Sequence, residues 1–397
     1  MKKTIAFEKQ NYIQTEPIII YGASVYGELA YIALKQLELT PKYFCDKSQA
    51  RKEYLGIKVI QPETLKEFQN ANIIIASADF FGEIQEQLQN MNCNNLYDMR
   101  ELLKFDLARE VLSNRALEMY TNKQHYIDIV NNQGSEKIVF NRIQFVVTEK
   151  CSLRCKDCSH LIPYYKEPEN VDLEKYKEAF DLLLEHTDYV AELRILGGEP
   201  FLHKEMGTLI DWYHDNPKIE SISIYTNGTI VPSEAELIKL KNKKVKVHIS
   251  NYGINEERLK KLVQVFDEKK ICYFVRKYDS WQDSGDVEFR DYTLEKREQI
   301  FANCFERNGY TFLKGKLYRC PRAAHAINLK AMPDRKEDYI DLLKWRGTPE
   351  KLVDEIKALQ GKTYLEACNY CGGPDNHIQS IPAAIQTTKP IPYEIKH

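Results

Sequence analysis

The sequence predicts an α/β protein with two successive strand–helix alternations and a C-terminal part marked by spaced cysteines. Three observations carry this expectation. Short apolar runs alternate with amphipathic stretches over the first hundred residues, a second alternation starts at Ile143, and seven of the ten cysteines fall into two sets, Cys151, Cys155, Cys158 and Cys304, Cys320, Cys368, Cys371.

The chain of 397 residues is long enough for two or three domains, each with its own core. Lys plus Arg total 56 and Asp plus Glu total 58, a net charge of −2, so no global attraction to nucleic acid or anionic membrane is expected. The N-terminal residues lack the apolar stretch of a signal peptide, and no later run matches a membrane helix, so the expected compartment is the cytoplasm. In that reducing setting, clustered cysteines are read as ligating or catalytic, not as disulfides.

The first strand is read at Ile18-Ile19-Ile20-Tyr21, followed by a glycine turn and a helix from Glu28 to Leu37. Strands at residues 42–46, 72–76 and 96–97 and helical stretches at 63–68 and 81–88 complete a small doubly wound domain. Residues 106–139 read as a helical linker, with a polar loop over residues 131–135. The second series has strands at residues 143–147, 193–196, 222–225, 245–249 and 271–275. One intervening helix gathers Leu173, Tyr176, Phe180, Leu183 and Leu184 on one face, and another opens with Ser233 and Glu236 as a capping box. Repeated βα units give a parallel sheet, open or rolled into a barrel, with chemistry expected at the carboxyl ends of its strands. Beyond residue 290, helices near residues 294–303 and 349–359 flank irregular Gly- and Cys-containing loops.

Cys151, Cys155 and Cys158 follow the strand ending Val146-Val147-Thr148. Three thiolates from one loop leave one iron of a four-iron cubane without a protein ligand, and that iron is open to a small molecule. The C-x3-C-x2-C spacing after the first strand of a βα series resembles the radical S-adenosylmethionine (SAM) superfamily, although Asp157 stands where that family usually has an aromatic residue. Gly197-Gly198-Glu199-Pro200, at the end of the next strand, matches the family's GGEP segment. The resemblance implies a [4Fe-4S] cluster on the three cysteines, SAM chelated by the open iron, and Glu199 beside the SAM ammonium group. It places Asn227, Ser250 and Asn251, at the next two strand ends, against the rest of SAM.

Cys304, Gly315 and Cys320 fit C-x10-G-x4-C, and Cys368 and Cys371 supply a later C-x2-C. The pattern resembles the opening of the SPASM extension, and the absence of further cysteines matches the shorter Twitch form, which implies one auxiliary [4Fe-4S] cluster on these four residues. A four-cysteine zinc site is the alternative that spacing alone leaves open. Cys45, Cys93 and Cys272 read as packing residues.

Gly22-Ala23-Ser24-Val25-Tyr26-Gly27, with Asp46 ending the next strand, suits a nucleotide site at Gly22, Gly27 and Asp46, but Ser24 replaces the middle glycine of the usual fingerprint. The segment resembles Rossmann-like modules attached to enzymes of bacterial sugar and polysaccharide modification. The expected organisation is a Rossmann-like domain over 1–105, the linker 106–139, a partial (β/α)6 radical SAM barrel over 140–290 and a Twitch-like domain over 291–397. By resemblance, the enzyme abstracts a carbinol hydrogen and oxidises or epimerises a carbohydrate or cyclitol, nucleotide-linked or free, with an electron donor such as flavodoxin or ferredoxin as partner. Peptide modification is the rival within the family; a non-catalytic zinc protein with a nucleotide-sensing domain is the rival outside it. Arg276 and His325 read equally as substrate contacts and as surface or supporting residues.

Overall fold

The computed structural model describes residues 5–6, 16–48, 51–373 and 380–395. The chain divides into two compact units, Met1–Glu136 and Lys137–His397.

In the first unit the strands are β1 (Ile5–Ala6), β2 (Ile18–Tyr21), β3 (Tyr43–Cys45), β4 (Glu53–Tyr54), β5 (Ile57–Ile60), β6 (Asn72–Ile75) and β7 (Leu96–Asp98). The helices are α1 (Val25–Gln36), α2 (Phe81–Asn90), α3 (Met99–Leu102), α4 (Asn114–Thr121) and α5 (Lys123–Asn132). The sheet order is β1-β7-β6-β2-β3-β5-β4, parallel throughout except for the β4–β5 pair. Around β2 the order β5-β3-β2-β6-β7 reverses direction, as in doubly wound sheets. All four residues of β2 and of β6 are buried, which is why both strands read as unbroken apolar runs.

Most of the segment 106–139 expected to be a linker, up to Glu136, belongs to this unit instead. Glu28 accepts hydrogen bonds from the Ser113 amide and hydroxyl, both at 2.9 Å, and Ser113 in turn caps α4. Tyr126 of α5 is fully buried, donates to the Ile75 carbonyl at 3.1 Å and meets Tyr26 edge-on at 4.8 Å. Scattered apolar positions among charges gave the helices but not the surface that receives them.

The second unit contains β8 (Val139–Phe140), β9 (Arg142–Thr148), α6 (Leu173–Glu185), β10 (Tyr189–Gly197), α7 (Thr208–Tyr213), β11 (Ile219–Thr226) and α8 (Glu234–Lys239). It continues with β12 (Val245–Asn251), α9 (Glu256–Lys269), β13 (Tyr273–Lys277), β14 (Ser280–Gln282), α10 (Leu294–Asn303), β15 (Gly309–Leu313) and β16 (Lys316–Tyr318). Finally come α11 (Pro321–Asn328), β17 (Tyr339–Asp341), α12 (Pro349–Gln360) and β18 (Ser380–Pro382). The main sheet runs β13-β12-β11-β10-β9-β15-β16-β17, with β8 beside β10. Strands β9 to β13 are parallel neighbours in chain order, joined by α6 to α9.

This corrects the expected (β/α)6 barrel over 140–290. Five parallel strands, β9 to β13, come from that segment, and the sixth parallel strand is β15, from beyond residue 290, which pairs with β9 on the other edge. No helical crossover follows β13: the chain passes through β14 and irregular polar loops before α10. The boundary expected at 290 therefore falls inside one compact unit, whose sheet both segments share. The β15–β16 hairpin turns at Lys314 and Gly315, both at positive φ, as a two-residue turn matching strand twist requires.

Phe145 of β9, Phe180 of α6 and Phe312 of β15 pack with ring centroids 4.9 to 5.0 Å apart, joining the helix layer to the sheet. Each is at most 1 % exposed, so each contributes about 2–3 kcal/mol of burial. Among the described residues no helix is long and apolar enough to cross a membrane.

Candidate active site

The cysteine loop leaves the end of β9 and lies against the end of β10. Here close approach demands glycine. A Cβ on Gly197 would stand 2.2 Å from the Thr148 carbonyl oxygen, and one on Gly198 would stand 2.2 Å from that of Lys150 and 2.9 Å from Cys151 Cβ. The Gly198 and Glu199 amides donate to the Thr148 and Lys150 carbonyls at 2.9 and 2.8 Å. The GGEP segment is thus stitched to the loop that carries the first cysteine.

Glu199 is wholly buried. Its Oε1 accepts from the Thr226 hydroxyl at 2.8 Å and the Phe201 amide at 3.2 Å, and its Oε2 accepts from the Asn227 amide at 2.8 Å. Burial pushes its pKa up to about 7 in spite of these donors. The carboxyl therefore ties β10 to the end of β11 and sets the position of Asn227. Asn227 carries the link onward: its Nδ2 donates to Cys151 Sγ at 3.5 Å and to the Ser152 hydroxyl at 3.1 Å, while its Oδ1 accepts from the Thr229 amide at 3.0 Å.

The sulfurs of the loop act as acceptors. Cys151 Sγ also receives the Leu153 amide at 3.4 Å, and Cys155 Sγ receives Gln386 Nε2 at 3.1 Å. Burial pushes the Cys155 thiol up to about 11 and raises Cys151 and Cys158 as well; neighbouring cysteines of the loop add to the rise of Cys151 and Cys155. Buried thiols keep their protons until a cation compensates the thiolate, and ligated iron supplies that charge. Three free cysteines with N–H donors aimed at two of them suit a cluster ligand set. Among the described residues no three His, Cys, Asp or Glu side chains are close enough to hold a single metal ion.

Of the other SAM candidates, Asn251 accepts from the Gly253 amide at 2.8 Å, and Ser250 hydrogen-bonds Tyr252; both are part-buried at the end of β12.

The cysteines of the second set lie within electrostatic range of one another. Cys304 follows α10, Cys320 precedes α11, and Cys368 and Cys371 lie around a short 3-10 turn. Burial first, then the neighbouring thiols, raise Cys304, Cys320 (to about 12) and Cys368; Cys371 figures in the shift of all three. Cys371 Sγ accepts from the Gly373 amide at 3.4 Å. Cys45 and Cys93 are buried as expected of packing residues, but Cys272 is exposed.

One face of the main sheet is polar, a feature the sequence reading missed because it spreads over five strands. Gln144, Arg194, Tyr225, His248 and Phe274 lie along it, as the registers Gln144–Arg194, Tyr225–His248 and His248–Phe274 show. Arg194 pairs with Glu192 at 2.6 Å and sits 4.7 Å above the Tyr225 ring. Tyr225 stacks on His248 at 4.7 Å, and His248 on Phe274 at 5.6 Å. Glu306 reaches this face, accepting from Gln144 at 3.1 Å and pairing with Arg142 at 3.2 Å. Burial would raise its pKa, but Arg142, Arg194 and His160 hold it below the usual carboxylate range. His160, two residues past Cys158, contacts Gln144 Oε1 at 3.3 Å and meets the His325 ring edge-on at 5.4 Å. His325 is fully buried, with Nδ1 on the Tyr165 hydroxyl at 2.9 Å and Nε2 without a hydrogen-bond partner among the described residues, whereas Arg276 is exposed and covers Tyr278.

In the first unit the residues of the expected nucleotide site have internal partners. Asp46 accepts from the Ala23 and Ser48 amides, both at 2.8 Å. A Cβ on Gly27 would stand 2.0 Å from the Gly22 carbonyl oxygen, so this glycine serves the packing of α1 on its own turn.

Residues 145–278 match the family model of the Radical SAM superfamily, and residues 14–96 match that described as C2185-like, N-terminal. A GTP 3′,8-cyclase of Aliarcobacter butzleri (strain RM4018) is 32% identical over 120 residues, 30% of this chain and 36% of that protein. A GTP 3′,8-cyclase of Campylobacter jejuni (strain RM1221) is 31% identical over 135 residues, 34% of this chain and 41% of that protein. The chain thus spans less than half the length of these curated relatives. The crystal structure of BtrN in complex with AdoMet and 2-DOIA has 15% identity, covers 60% of this chain and 98% of its own, and superposes with a TM-score of 0.41. With its three cysteines, its GGEP segment and its family match, the stretch 145–278 is a radical SAM superfamily domain, and a [4Fe-4S] cluster and SAM are its cofactors.

Proposed function

We propose that this chain is an enzyme that takes hydrogen from a hydroxyl-bearing carbon of a carbohydrate or cyclitol and oxidises or epimerises that carbon. The polar and aromatic face formed by Gln144, Glu192, Arg194, Tyr225 and His248 carries this reading. It offers charged and neutral hydrogen-bond partners and a stacked ring surface, a combination suited to a small hydroxylated ring rather than an apolar side chain. Gln144 stands on the same strand whose end bears the cysteine loop.

When bound, the cluster supplies one electron that cleaves the sulfonium bond of SAM and yields the hydrogen-abstracting carbon radical. The chain's own contribution is positional. Glu199 and Asn227 hold the ends of β10 and β11 against Cys151, and Gly197 and Gly198 allow their backbone to come close. Cys304, Cys320, Cys368 and Cys371 are read as a Twitch-like ligand set for an auxiliary cluster, which would accept the electron left on the substrate carbon. The N-terminal unit is read as Rossmann-like from its strand order; the internal partners of Asp46 and Gly27 favour a structural role for its glycine turn.

The test is label transfer. Incubated anaerobically with SAM, a reductant and sugars or cyclitols deuterated at carbinol carbons, the enzyme should move deuterium into 5′-deoxyadenosine. Arg194→Met should lower turnover of the labelled substrate at least roughly tenfold while uncoupled SAM cleavage persists, since a lost charge-assisted hydrogen bond costs about 1.5–3 kcal/mol. Label arriving only from peptides would replace this reading with peptide modification.

A further inference from the structure

The segment after β18 lies along the cysteine loop. The Lys156 amide donates to the Ile385 carbonyl at 2.7 Å, and the Thr387 amide to the Arg154 carbonyl at 2.8 Å, with Cys155 and Gln386 bridged between them. The side chain of Gln386 works in two directions. Its Oε1 accepts from the Arg154 amide at 2.7 Å, and its Nε2 donates to Cys155 Sγ at 3.1 Å and to the Ala384 carbonyl at 2.7 Å. The Cys155 sulfur thus meets a primary-amide donor that lies 231 residues away in sequence.

A neutral thiol is a weak acceptor and gains little from such a donor. A ligating thiolate carries charge, and an N–H bond to it favours the more negative, reduced state of its cluster. We propose that Gln386, presented by the C-terminal strap over residues 384–388, raises the reduction potential of the cluster held by Cys151, Cys155 and Cys158. The role of Gln386 is positioning and electronic: it acts through Cys155. The inference rests on the cluster assignment of the three cysteines, and an iron assay separates failure of that assignment from failure of the inference.

Gln386→Glu and Gln386→Leu divide the two functions. The glutamate keeps the acceptor for the Arg154 amide and loses the donor to sulfur, replacing it with a negative oxygen; the leucine loses both. The measurement is the midpoint potential, in full-length reconstituted protein, of the reduced-cluster EPR signal that changes on SAM addition, read beside iron content. With wild-type iron retained, the potential should become more negative in both variants, most in Gln386→Glu. A wild-type potential in Gln386→Glu at full iron content would overturn the inference. Loss of the cluster from Gln386→Glu would equally overturn it, because Gln386 would then hold the loop in place without tuning it.

Discussion

Glu199 is an ionisable group with no exposed surface, and its behaviour follows from its three donors and its burial. An amide in its place offers one acceptor oxygen for three donors, so Glu199→Gln leaves an N–H or O–H unmatched at the junction of β10 and β11. That costs about 1–3 kcal/mol, and the misplaced Asn227 should weaken SAM binding with it. Titration adds a pH signature. Burial lifts the folded-state pKa to about 7, above the roughly 4.3 of an unfolded glutamate. The folded state then binds the proton more tightly, so this contribution to stability is full below about pH 4 and is lost as pH rises through about 7. Thermal unfolding of metal-free protein between about pH 5 and 7 should show a decline in the wild type that is flatter in Glu199→Gln. Parallel slopes would show that Glu199 does not titrate there. At this scale the cysteines and GGEP were legible, since their chemistry is written in local spacing. Gln386 and Glu306 were not, because each acts on a strand or loop more than 150 residues away. Asp46 drew a ligand role from its position, and the structure gives its oxygens to backbone amides.

Strands buried along their length were the most legible elements: β2 and β6 announce themselves as apolar runs bounded by polar turns, and the longer, mostly buried β9 to β11 carry enough apolar residues to be read as well. Short strands with one neighbour or a hairpin origin, such as β4, β5, β16 and β17, carry too few residues for a periodic signal. The crossing of β15 back to β9 was invisible for another reason, since local pattern does not specify which edge a distant strand joins. The helices α4 and α5 show the same limit, and they give an element-scale prediction. A fragment of residues 1–136 should unfold cooperatively, whereas residues 1–105 lose the Ser113–Glu28 bonds and the burial of Tyr126 and Tyr120. With about 0.5–1.5 kcal/mol per hydrogen bond and about 1.5–3 per buried aromatic side chain, the shorter fragment should be less stable by at least roughly 3 kcal/mol in urea denaturation. Equal midpoints would return residues 106–136 to the status of a linker.

Across the second unit, two cysteine sets share one compact body with a polar sheet face, whose Gln144 stands on the strand before Cys151 and whose partner Glu306 lies two residues after Cys304. On the function proposed above, this arrangement would give a radical generated near the first set a polar substrate surface and an electron acceptor within the same unit. Whether radical chemistry occurs here depends on what the two sets hold. The direct measurement is iron and acid-labile sulfide per chain in anaerobically purified protein, compared with the variant in which Cys151, Cys155 and Cys158 are all Ala. Two four-iron clusters predict about eight irons in the wild type and about four in the variant, with SAM cleavage abolished. Zinc in place of iron, or a triple variant that keeps the wild-type iron content, would contradict the account.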